Sequence, residues 1–378
     1  MINNIIYDVI FIGGGASSLF AGAHSDKKIK TLILEKTGSL GTKLLLSGGG
    51  RANITNMNID EELDYFGQNK KALKSIFSKY NNWDLMAFAS ENNLELVEED
   101  RGRMLLKSGK SKDFLELLLK KNRENNVEIK LKKSVKSVKK DEKNDIFIIK
   151  TEKNEEFFGK KVVISTGGRS FMDLGTTGDG YNFAGEFGIK SSGIYRGLCG
   201  ITCVKKLEDI SGTSVKLKIN IKYKDKVVYS ESGPLLFTHF GLSGPIIFNS
   251  VLKIGEYLDK IGKNTDDLKG FSAELFFDLE NTSKKVIKFF DLSQEKSIIE
   301  LDLHSFRSWR EAKVTGGGIL LDELDNNLQS KKVQNLFFIG EILDITGKTG
   351  GYNLQLAFST GYIVMQYIKS SLGNTEKK

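Results

Sequence analysis

Cysteine, proline and histidine are scarce in this sequence of 378 residues, which contains two, two and three of them respectively. The two cysteines, Cys199 and Cys203, are too few for a disulfide scaffold, so we expect a protein of the reducing cytoplasm. No group of histidines and cysteines has the spacing of metal ligands, and no metal site is expected. These absences exclude a disulfide-rich secreted domain and a zinc module.

Long apolar runs are also missing. No uninterrupted stretch approaches the ~18–20 residues that a membrane span requires. The first residues, MINNIIYDVIFIGGG, show neither a basic leader nor a small-residue cleavage site. We therefore expect neither a membrane anchor nor a signal peptide. A hydrophobic content of 39% with 24 phenylalanines excludes a mainly disordered chain.

Glycine is abundant instead, with 39 residues, or about 10% of the chain against a usual ~7%. Many glycines with few prolines indicate tight backbone turns around a ligand more than a flexible linker. The net charge of +8 could serve nucleic acid, an anionic cofactor or solubility. The lysines between residues 130 and 140 alternate with apolar residues, which is typical of the solvated face of a strand pair.

The first 35 residues have the pattern of a strand, a glycine turn, a helix and a second strand. Residues 7–12 (YDVIFI) form a short apolar run, and Gly13 and Gly15 follow before the helical stretch ASSLFAGAHS. A second apolar run, residues 31–34, ends at Glu35. Apolar runs of this length are typical of strands buried in a parallel sheet. The pattern predicts one βαβ unit.

Each part of this unit suits a dinucleotide. Gly13 permits the tight turn, and Gly15 lets the backbone and the helix N–H groups approach a pyrophosphate. Glu35 can accept hydrogen bonds from ribose hydroxyls and disfavours a 2′-phosphate, so we expect FAD or NAD and not NADP. Ser18 stands where a third glycine is usual, but it is small. A glycine-rich turn without a ligand is the alternative.

Further glycine clusters favour FAD. Gly48–Gly50 precede Arg51, Asn53 and Thr55, whose donors and acceptors suit the pyrophosphate and ribityl chain of FAD; a surface loop with helix caps is the alternative. A later strand-like run, residues 161–166, ends before Gly167.

The C-terminal part repeats this pattern. Residues 336–339 read as a strand and are followed by Gly340, Glu341 and Asp344, either carboxylate of which could hold ribityl hydroxyls. Gly350 and Gly351 then precede a helix whose N–H groups could stabilise a reduced flavin ring. A plain strand–helix crossover is the alternative.

These segments together predict an α/β fold: a Rossmann-like FAD-binding domain of the two-dinucleotide-binding type, interrupted by an inserted mostly-β domain. The expected division is an FAD-binding first part over residues 1–190, an inserted substrate or cap domain over 191–312, and an FAD-binding C-terminal part over 313–378. The insertion is indicated by short β-like runs with polar turns, such as VKLKINIKYKDKVVYS.

The stretches DVIFIGGGASSLFAGA, GTKLLLSGGGRANITN and NLFFIGEILDITGKTGGYNLQLAFSTGY resemble those of the BaiN-like, or aminoacetone-oxidase-like, FAD-dependent oxidoreductases. The resemblance implies a flavin reduced by a nicotinamide cofactor or a small substrate oxidised at the flavin. The family's cysteine between Arg51 and Asn53 is Ala52 here, so any role of that thiol is absent. The binding positions that the resemblance implies are Gly13, Gly15, Ala16, Ser17, Glu35, Lys36, Arg51, Asn53, Thr55, Val135 (by its backbone, to adenine), Thr166, Gly167, Gly340, Glu341, Asn353 and Leu354.

We therefore expect an FAD-dependent oxidoreductase that passes hydride between the flavin and a small organic substrate. No second glycine fingerprint is present for NAD(P)H, so NAD(P)H is expected as a transient donor, or oxygen as the acceptor. His239 could donate a proton to substrate, or simply bond local backbone as a loop residue, whereas His24 is expected at the surface and His304 in a structural role. The alternatives are an FAD-binding protein that modifies or binds nucleic acid such as tRNA, against which the scattered lysines argue, and a flavin-binding protein without efficient turnover. The sequence indicates no oligomeric state.

Overall fold

The computed structural model describes residues 5–373 and divides the chain into two compact units. Unit 1 contains the residues up to 192 and those from 318 onward, and unit 2 contains residues 193–317. Unit 2 ends at Gly317 and not at the expected residue 312, because the strand Val314–Gly316 pairs antiparallel with Tyr195–Gly197. The inserted segment is therefore closed by a strand pair formed from its own two ends.

Short strands and helices alternate along the described residues. The strands are β1 (Ile6–Ile12), β2 (Thr31–Leu34), β3 (Asn53–Asn56), β4 (Tyr65–Phe66), β5 (Leu96–Glu99), β6 (Arg103–Leu106), β7 (Glu128–Lys130), β8 (Val135–Asp141), β9 (Ile146–Thr151), β10 (Glu156–Ile164), β11 (Tyr195–Gly197), β12 (Ile201–Cys203), β13 (Ser214–Tyr223), β14 (Lys226–Thr238), β15 (Gly241–Ser243), β16 (Phe271–Phe276), β17 (Ile298–Phe306), β18 (Val314–Gly316), β19 (Leu336–Phe338) and β20 (Thr346–Gly347). The α-helices are α1 (Ala16–Ala23), α2 (Thr42–Leu46), α3 (Lys71–Lys79), α4 (Asn82–Glu91), α5 (Ser111–Glu124), α6 (Asp179–Glu186), α7 (Pro245–Lys260), α8 (Lys284–Phe290) and α9 (Tyr352–Gly373).

Unit 1 is built on a sheet in which β7, β2, β1 and β10 lie side by side and parallel. Beyond β10, the sheet divides: β19 continues it in parallel along the end of β10, and β9 and β8 form an antiparallel ribbon along its beginning. Every residue of β2 is buried, as expected of a strand covered on both faces. Helices α5 and α9 pack against α1 on this sheet.

The carboxyl ends of the parallel strands meet at one edge of the sheet. Gly13 follows β1, Glu35 follows β2, Ser165 follows β10, and the turn that begins at Gly340 comes shortly after β19. In open parallel sheets, ligands bind at this edge, where successive chain crossovers diverge. The fold therefore brings residues from distant parts of the sequence to one place.

Unit 2 is a closed barrel in the strand order β12, β15, β14, β13, β16 and β17. Along β13, buried apolar residues such as Leu217 and Ile219 alternate with exposed lysines such as Lys216, which is the period of a strand with one face on a core. Helix α7 begins with Pro245, whose missing N–H is not needed there, and packs against β14. Together the two units confirm the predicted fold class.

No helix within residues 5–373 combines the length and the apolar character needed to cross a membrane.

Candidate functional site

The turn between β1 and α1 depends on glycine for steric reasons. Gly13 has a φ of +111°, and a Cβ there would lie 2.5 Å from the carbonyl oxygen of Ser165. Because L-residues rarely adopt this φ and the neighbour is backbone, no other residue is accommodated without strain. Gly13 thus lets the chain turn directly beside the end of β10.

Helix α1 begins with exposed amides and without a side-chain cap. Gly15 is its N-cap, no side chain accepts from the first turn, and a Cβ on Gly15 would have no heavy atom within 4 Å. Ala16 and Ser17 are the first two helical residues. Ser18, at the position of the usual third glycine, is fully buried and donates to the carbonyl oxygen of Gly13 at 2.6 Å. The serine is accommodated because its hydroxyl folds back onto the turn.

The Glu35 carboxylate lies against this turn. Its Oε2 accepts from the Gly14 N–H and its Oε1 from the Thr37 N–H, each at 2.7 Å. The carboxylate therefore stands beside the glycine turn, held by backbone. Lys36 points elsewhere and donates to Thr177 at 2.6 Å and to Asp179 at 2.8 Å, which ties the end of β2 to the start of α6.

Three predicted residues in and just before β3 have internal partners. Arg51 forms a two-armed ion pair with Glu99, at 2.5 and 3.3 Å. With its amide oriented to satisfy both ends, Asn53 accepts from the Gly351 N–H at 3.1 Å. The buried Thr55 hydroxyl donates to Gln355 at 2.6 Å. Asn53 and Thr55 thus fix the start of α9, and their side chains face protein groups.

The turn Gly340–Ile342 lies against the start of α1. Gly340 has a φ of +76°, and a Cβ there would lie 2.8 Å from the Ser17 hydroxyl. The adjacent Glu341 forms an ion pair with Lys43 and accepts from the Ser170 hydroxyl at 2.8 Å, while Lys43 also donates to Ser170 at 2.7 Å. Distant parts of the sequence therefore meet around one partly buried carboxylate.

The remaining predicted positions differ in burial: Val135 and Asp344 are buried, and Thr166 and Gly167 are half-buried. Asp344 accepts from the Gln68 N–H at 3.1 Å, and Val135 is the buried first residue of β8. Gly167 has a φ of +71°. The Thr166 hydroxyl would lie 2.2 Å from a Cβ placed on Gly180. The end of β10 is therefore in direct contact with the first turn of α6.

Two glycines lead into α9. Gly350 and Gly351 have φ values of +138° and +99°, and a Cβ on Gly351 would lie 2.3 Å from the Thr55 carbonyl oxygen. The Asn353 amide is bound to both backbone groups of Gly347, at 2.9 and 2.7 Å. Leu354 is half-buried against the core of unit 1. The start of α9 is thus held against β3.

The histidines differ from one another in surroundings. His239 is exposed on the turn between β14 and β15 of unit 2, with its ring beside Phe240. His24 was expected at the surface, and that expectation is wrong. Its ring lies 4.4 Å from Phe20 and 5.0 Å from both Phe88 and Tyr362, and burial lowers its pKa to about 4.

Both cysteines are free thiols, and burial raises the pKa of each to about 12. Such thiols are not nucleophilic near neutral pH. Among the described residues, no group of three or more histidine, cysteine, aspartate or glutamate side chains is placed to hold a metal ion.

Sequence reasoning missed Lys43, Ser170 and Tyr181. Tyr181 lies in the first turn of α6, and its hydroxyl is buried without a hydrogen-bond partner in the described part of the chain. Lys43 could have been suspected, because a lysine within an otherwise apolar helical turn beside glycines is unusual. Nothing in the sequence near residues 170 and 181 indicates their neighbours.

The residues at this edge are suited to FAD. The amides at the uncapped start of α1 match a pyrophosphate, and the carboxylates at residues 35 and 341 match sugar and ribityl hydroxyls. The buried Tyr181 hydroxyl supplies one more donor at the same edge.

Comparison with known proteins gives consistent results. The family model described as the HI0933-like protein Rossmann domain matches residues 7–367. A protein of Escherichia coli (strain K12) named ribosomal RNA dihydrouridine synthase is 29% identical over 95% of this chain and 97% of its own length. A protein of Clostridium scindens named 3-dehydro-bile acid delta(4,6)-reductase is 26% identical over 93% of this chain and 96% of its own.

Among solved structures, the 3-ketosteroid-delta4-(5alpha)-dehydrogenase of Rhodococcus jostii RHA1 aligns over 97% of this chain and 98% of its own, with a TM-score of 0.52 and 12% identity. At that identity, the likeness concerns the fold.

Proposed function

The chain belongs to the HI0933-like family of FAD- and NAD(P)-binding Rossmann proteins and is an FAD-dependent oxidoreductase, and from this premise we propose that it reduces a carbon–carbon double bond conjugated to a carbonyl group. The observation that carries the proposal is the uncapped start of α1, where Gly15 leaves the backbone amides open while Glu35 stands beside the turn. That arrangement supports the binding of a dinucleotide, on which the chemistry depends.

In this proposal, FAD is held by residues at the strand ends of unit 1. The amides of residues 15–17 receive the pyrophosphate, Glu35 the adenosine ribose, and the backbone at Val135 the adenine. Glu341 and Asp344 hold the ribityl chain, and the start of α9, with Asn353 and Leu354, borders the ring. The other predicted positions shape these contacts through their own protein partners. They are Lys36, Arg51, Asn53, Thr55, Thr166, Gly167 and Gly340.

The type of reaction is supported by what the named relatives have in common. Forming dihydrouridine from uridine saturates a double bond conjugated to a carbonyl group, and a Δ4,6-reductase acting on a 3-dehydro bile acid does the same. When bound, FAD supplies the hydride for such a reduction. One substrate carbon gains the hydride, its neighbour gains a proton, and the double bond becomes a single bond.

As the substrate, we propose a uracil base in ribosomal RNA. The E. coli relative that covers nearly the whole chain has that name, and the net charge of +8 favours a polyanion. From the sequence alone, nucleic acid was the alternative substrate, and the named relative is the reason for preferring it here. A small enone is the second candidate, favoured by the bile acid reductase, which matches the chain over a similar length.

Two further assignments belong to the proposal. NAD(P)H is the electron donor and docks transiently, because the chain has one glycine fingerprint of the dinucleotide type and unit 1 uses it for FAD. Oxygen can then reoxidise the flavin in the absence of substrate. His239 is the proposed proton donor, because an imidazole ring can donate a proton to substrate.

The experiment begins with the purified protein and its visible spectrum. NADH or NADPH is added without oxygen, and bleaching of the flavin band is timed. The reduced protein then receives either an in vitro transcript of ribosomal RNA or a 3-oxo-Δ4,6 bile acid, and mass spectrometry looks for the gain of two hydrogens. Product from the transcript alone supports the RNA assignment, product from the bile acid alone supports the small enone, and a colourless protein that takes up no FAD would refute both.

Glu35→Ala tests the ribose contact within this proposal. We expect FAD affinity to fall at least about tenfold, since a hydrogen bond to a charged group contributes roughly 1.5–3 kcal/mol. The exposed Glu95, which pairs with Lys107 at the surface, provides the control Glu95→Ala. Unchanged affinity in Glu35→Ala, measured by fluorescence titration, would show that the ribose contact is assigned to the wrong residue.

A further inference from the structure

Tyr181 is a buried donor that the proposed cofactor contacts leave unused. Its hydroxyl is buried and has no hydrogen-bond partner within residues 5–373. A buried hydroxyl without a protein partner costs free energy, so it is a candidate for a hydrogen bond to a ligand. The position of Tyr181 in the fold indicates which ligand.

The first turn of α6 is fixed against the strand ends by its neighbours. A Cβ on Gly180 would lie 2.2 Å from the Thr166 hydroxyl and 2.5 Å from the Ile342 side chain. On the other side of Gly180, Asp179 pairs with Lys36 at 2.8 Å. The residue before Tyr181 therefore touches the end of β10 and the turn that holds Glu341.

Two carboxylates lie close enough to act on the phenol. Burial and then the negative charges of Glu341 and Asp344 raise the pKa of Tyr181 well above its ordinary value. The hydroxyl is therefore protonated at every physiological pH and can only donate its proton to a hydrogen bond. It donates to neither carboxylate, so its proton is available to a ligand.

We propose that Tyr181 donates a hydrogen bond to a hydroxyl of the FAD ribityl chain and is a cofactor-binding residue of this protein. A ligand hydroxyl can accept from a phenol and donate to a carboxylate at the same time. A phosphate would meet repulsion from Glu341 and Asp344 and is disfavoured there. The assignment rests on the proposed binding of FAD and adds a residue to it.

Tyr80 provides a matched control. Its hydroxyl is also buried without a partner in the described chain, but its ring packs among aromatic side chains, 4.3 Å from Tyr362 and 5.5 Å from Phe20. None of the residues assigned to the cofactor is among these neighbours. Removing the Tyr80 hydroxyl should therefore leave the affinity for FAD unchanged.

The test compares Tyr181→Phe and Tyr80→Phe in the full chain, first without cofactor and then by titration with FAD. Urea unfolding of the apoprotein should show neither variant to be less stable than wild type, because each loses an unpartnered polar group. FAD affinity should fall about tenfold in Tyr181→Phe, the loss of one neutral hydrogen bond, and stay unchanged in Tyr80→Phe. Tyr181→Met, which also lacks a donor, repeats the measurement should the phenylalanine variant fail to fold.

A second ligand locates the contact. ADP contains the adenosine and the pyrophosphate but has no sugar in place of the ribityl chain, so its affinity should be equal in wild type and Tyr181→Phe. Equal loss for FAD and ADP would overturn the ribityl assignment. Wild-type affinity of Tyr181→Phe for FAD would overturn the role of Tyr181 alone, whereas failure of the wild type to bind FAD would overturn the proposed function with it.

Discussion

The two units differ in where they place their constrained and ionisable residues. Unit 1 has an open parallel sheet, and at its carboxyl edge glycines with positive φ, paired carboxylates and a buried tyrosine lie together. Unit 2 is a closed barrel, and the histidine predicted to act from it lies exposed on a turn. An open sheet leaves strand ends that must be covered by loops, and those loops hold functional groups. A closed barrel satisfies its own strand edges.

Two individual glycines, one from each unit, differ in what makes glycine necessary. Gly13 in unit 1 and Gly212 in unit 2 both have positive φ, +111° and +81°. A Cβ on Gly13 meets backbone at 2.5 Å, whereas a Cβ on Gly212 has nothing within 4 Å. Glycine is therefore required at position 212 by its φ alone, and at position 13 by both its φ and the close contact.

Substitution of these two glycines gives the largest expected difference. Gly13→Ala should destabilise the protein by about 3 kcal/mol or more, because backbone strain and overpacking each contribute roughly 1–3 kcal/mol. Gly212→Ala should cost only the strain, about 1 kcal/mol. Urea unfolding measures both values. Equal losses would mean that the turn after β1 relaxes freely, and the contrast between Gly13 and Gly212 would fail.

The sequence was informative where a local pattern determines the structure. The βαβ unit over residues 7–35 could be predicted because apolar runs, glycine and an acidic residue follow one another at fixed spacing. The partners of Glu341 could not be predicted from the sequence, because Lys43 and Ser170 are distant from it in the chain and are brought to it only by the folding of the sheet. The surroundings of His24 were missed for the same reason, since its aromatic neighbours come from other helices as well as its own. Interactions that form only in the tertiary structure produce no characteristic residue spacing in the sequence, so the sequence does not predict them.

His24 and His304 provide the next comparison, between a partly buried histidine in unit 1 and an exposed one in unit 2. The pKa of His24 is lowered to about 4, so the unfolded chain binds a proton more readily than the folded one between about pH 6.5 and 4. Its contribution to stability is present above pH 6.5 and is lost as the pH falls. We expect a loss of about 2 kcal/mol between pH 7 and pH 5.

His24→Gln should remove that part of the pH dependence, and His304→Gln should leave it intact. Urea unfolding at several pH values measures it. A wild-type slope retained in His24→Gln would place the titrating group elsewhere.

Two ion pairs, one in each unit, should differ less in their contribution to the free energy of unfolding. Lys43→Met removes the cation beside the partly buried Glu341 carboxylate and should cost about 1 kcal/mol, between the values for exposed and buried pairs. The matched pair in unit 2 joins Lys296 and Asp291 at 3.5 Å, with side chains 52% and 95% exposed. Lys296→Met should therefore change the free energy of unfolding by less than about 0.5 kcal/mol. A Lys43→Met variant as stable as Lys296→Met would mean that Lys43 does not help to hold Glu341.

Gly15→Ala should have the smallest effect on stability, and it separates ligand binding from folding. Gly15 has an ordinary φ of −86°, and its Cβ would meet no protein atom within 4 Å. The alanine gains stability from a less flexible unfolded chain and loses a few tenths of a kcal/mol as a poorer N-cap, so unfolding should change by less than about 0.5 kcal/mol. FAD affinity should nevertheless fall about tenfold or more, because the added methyl group occupies the space through which a pyrophosphate approaches the amides. Gly212→Ala, which is strained but distant in sequence from every proposed contact, should show the reverse: reduced stability and unchanged affinity. If Gly15→Ala binds FAD as well as wild type, the open start of α1 is not the pyrophosphate site.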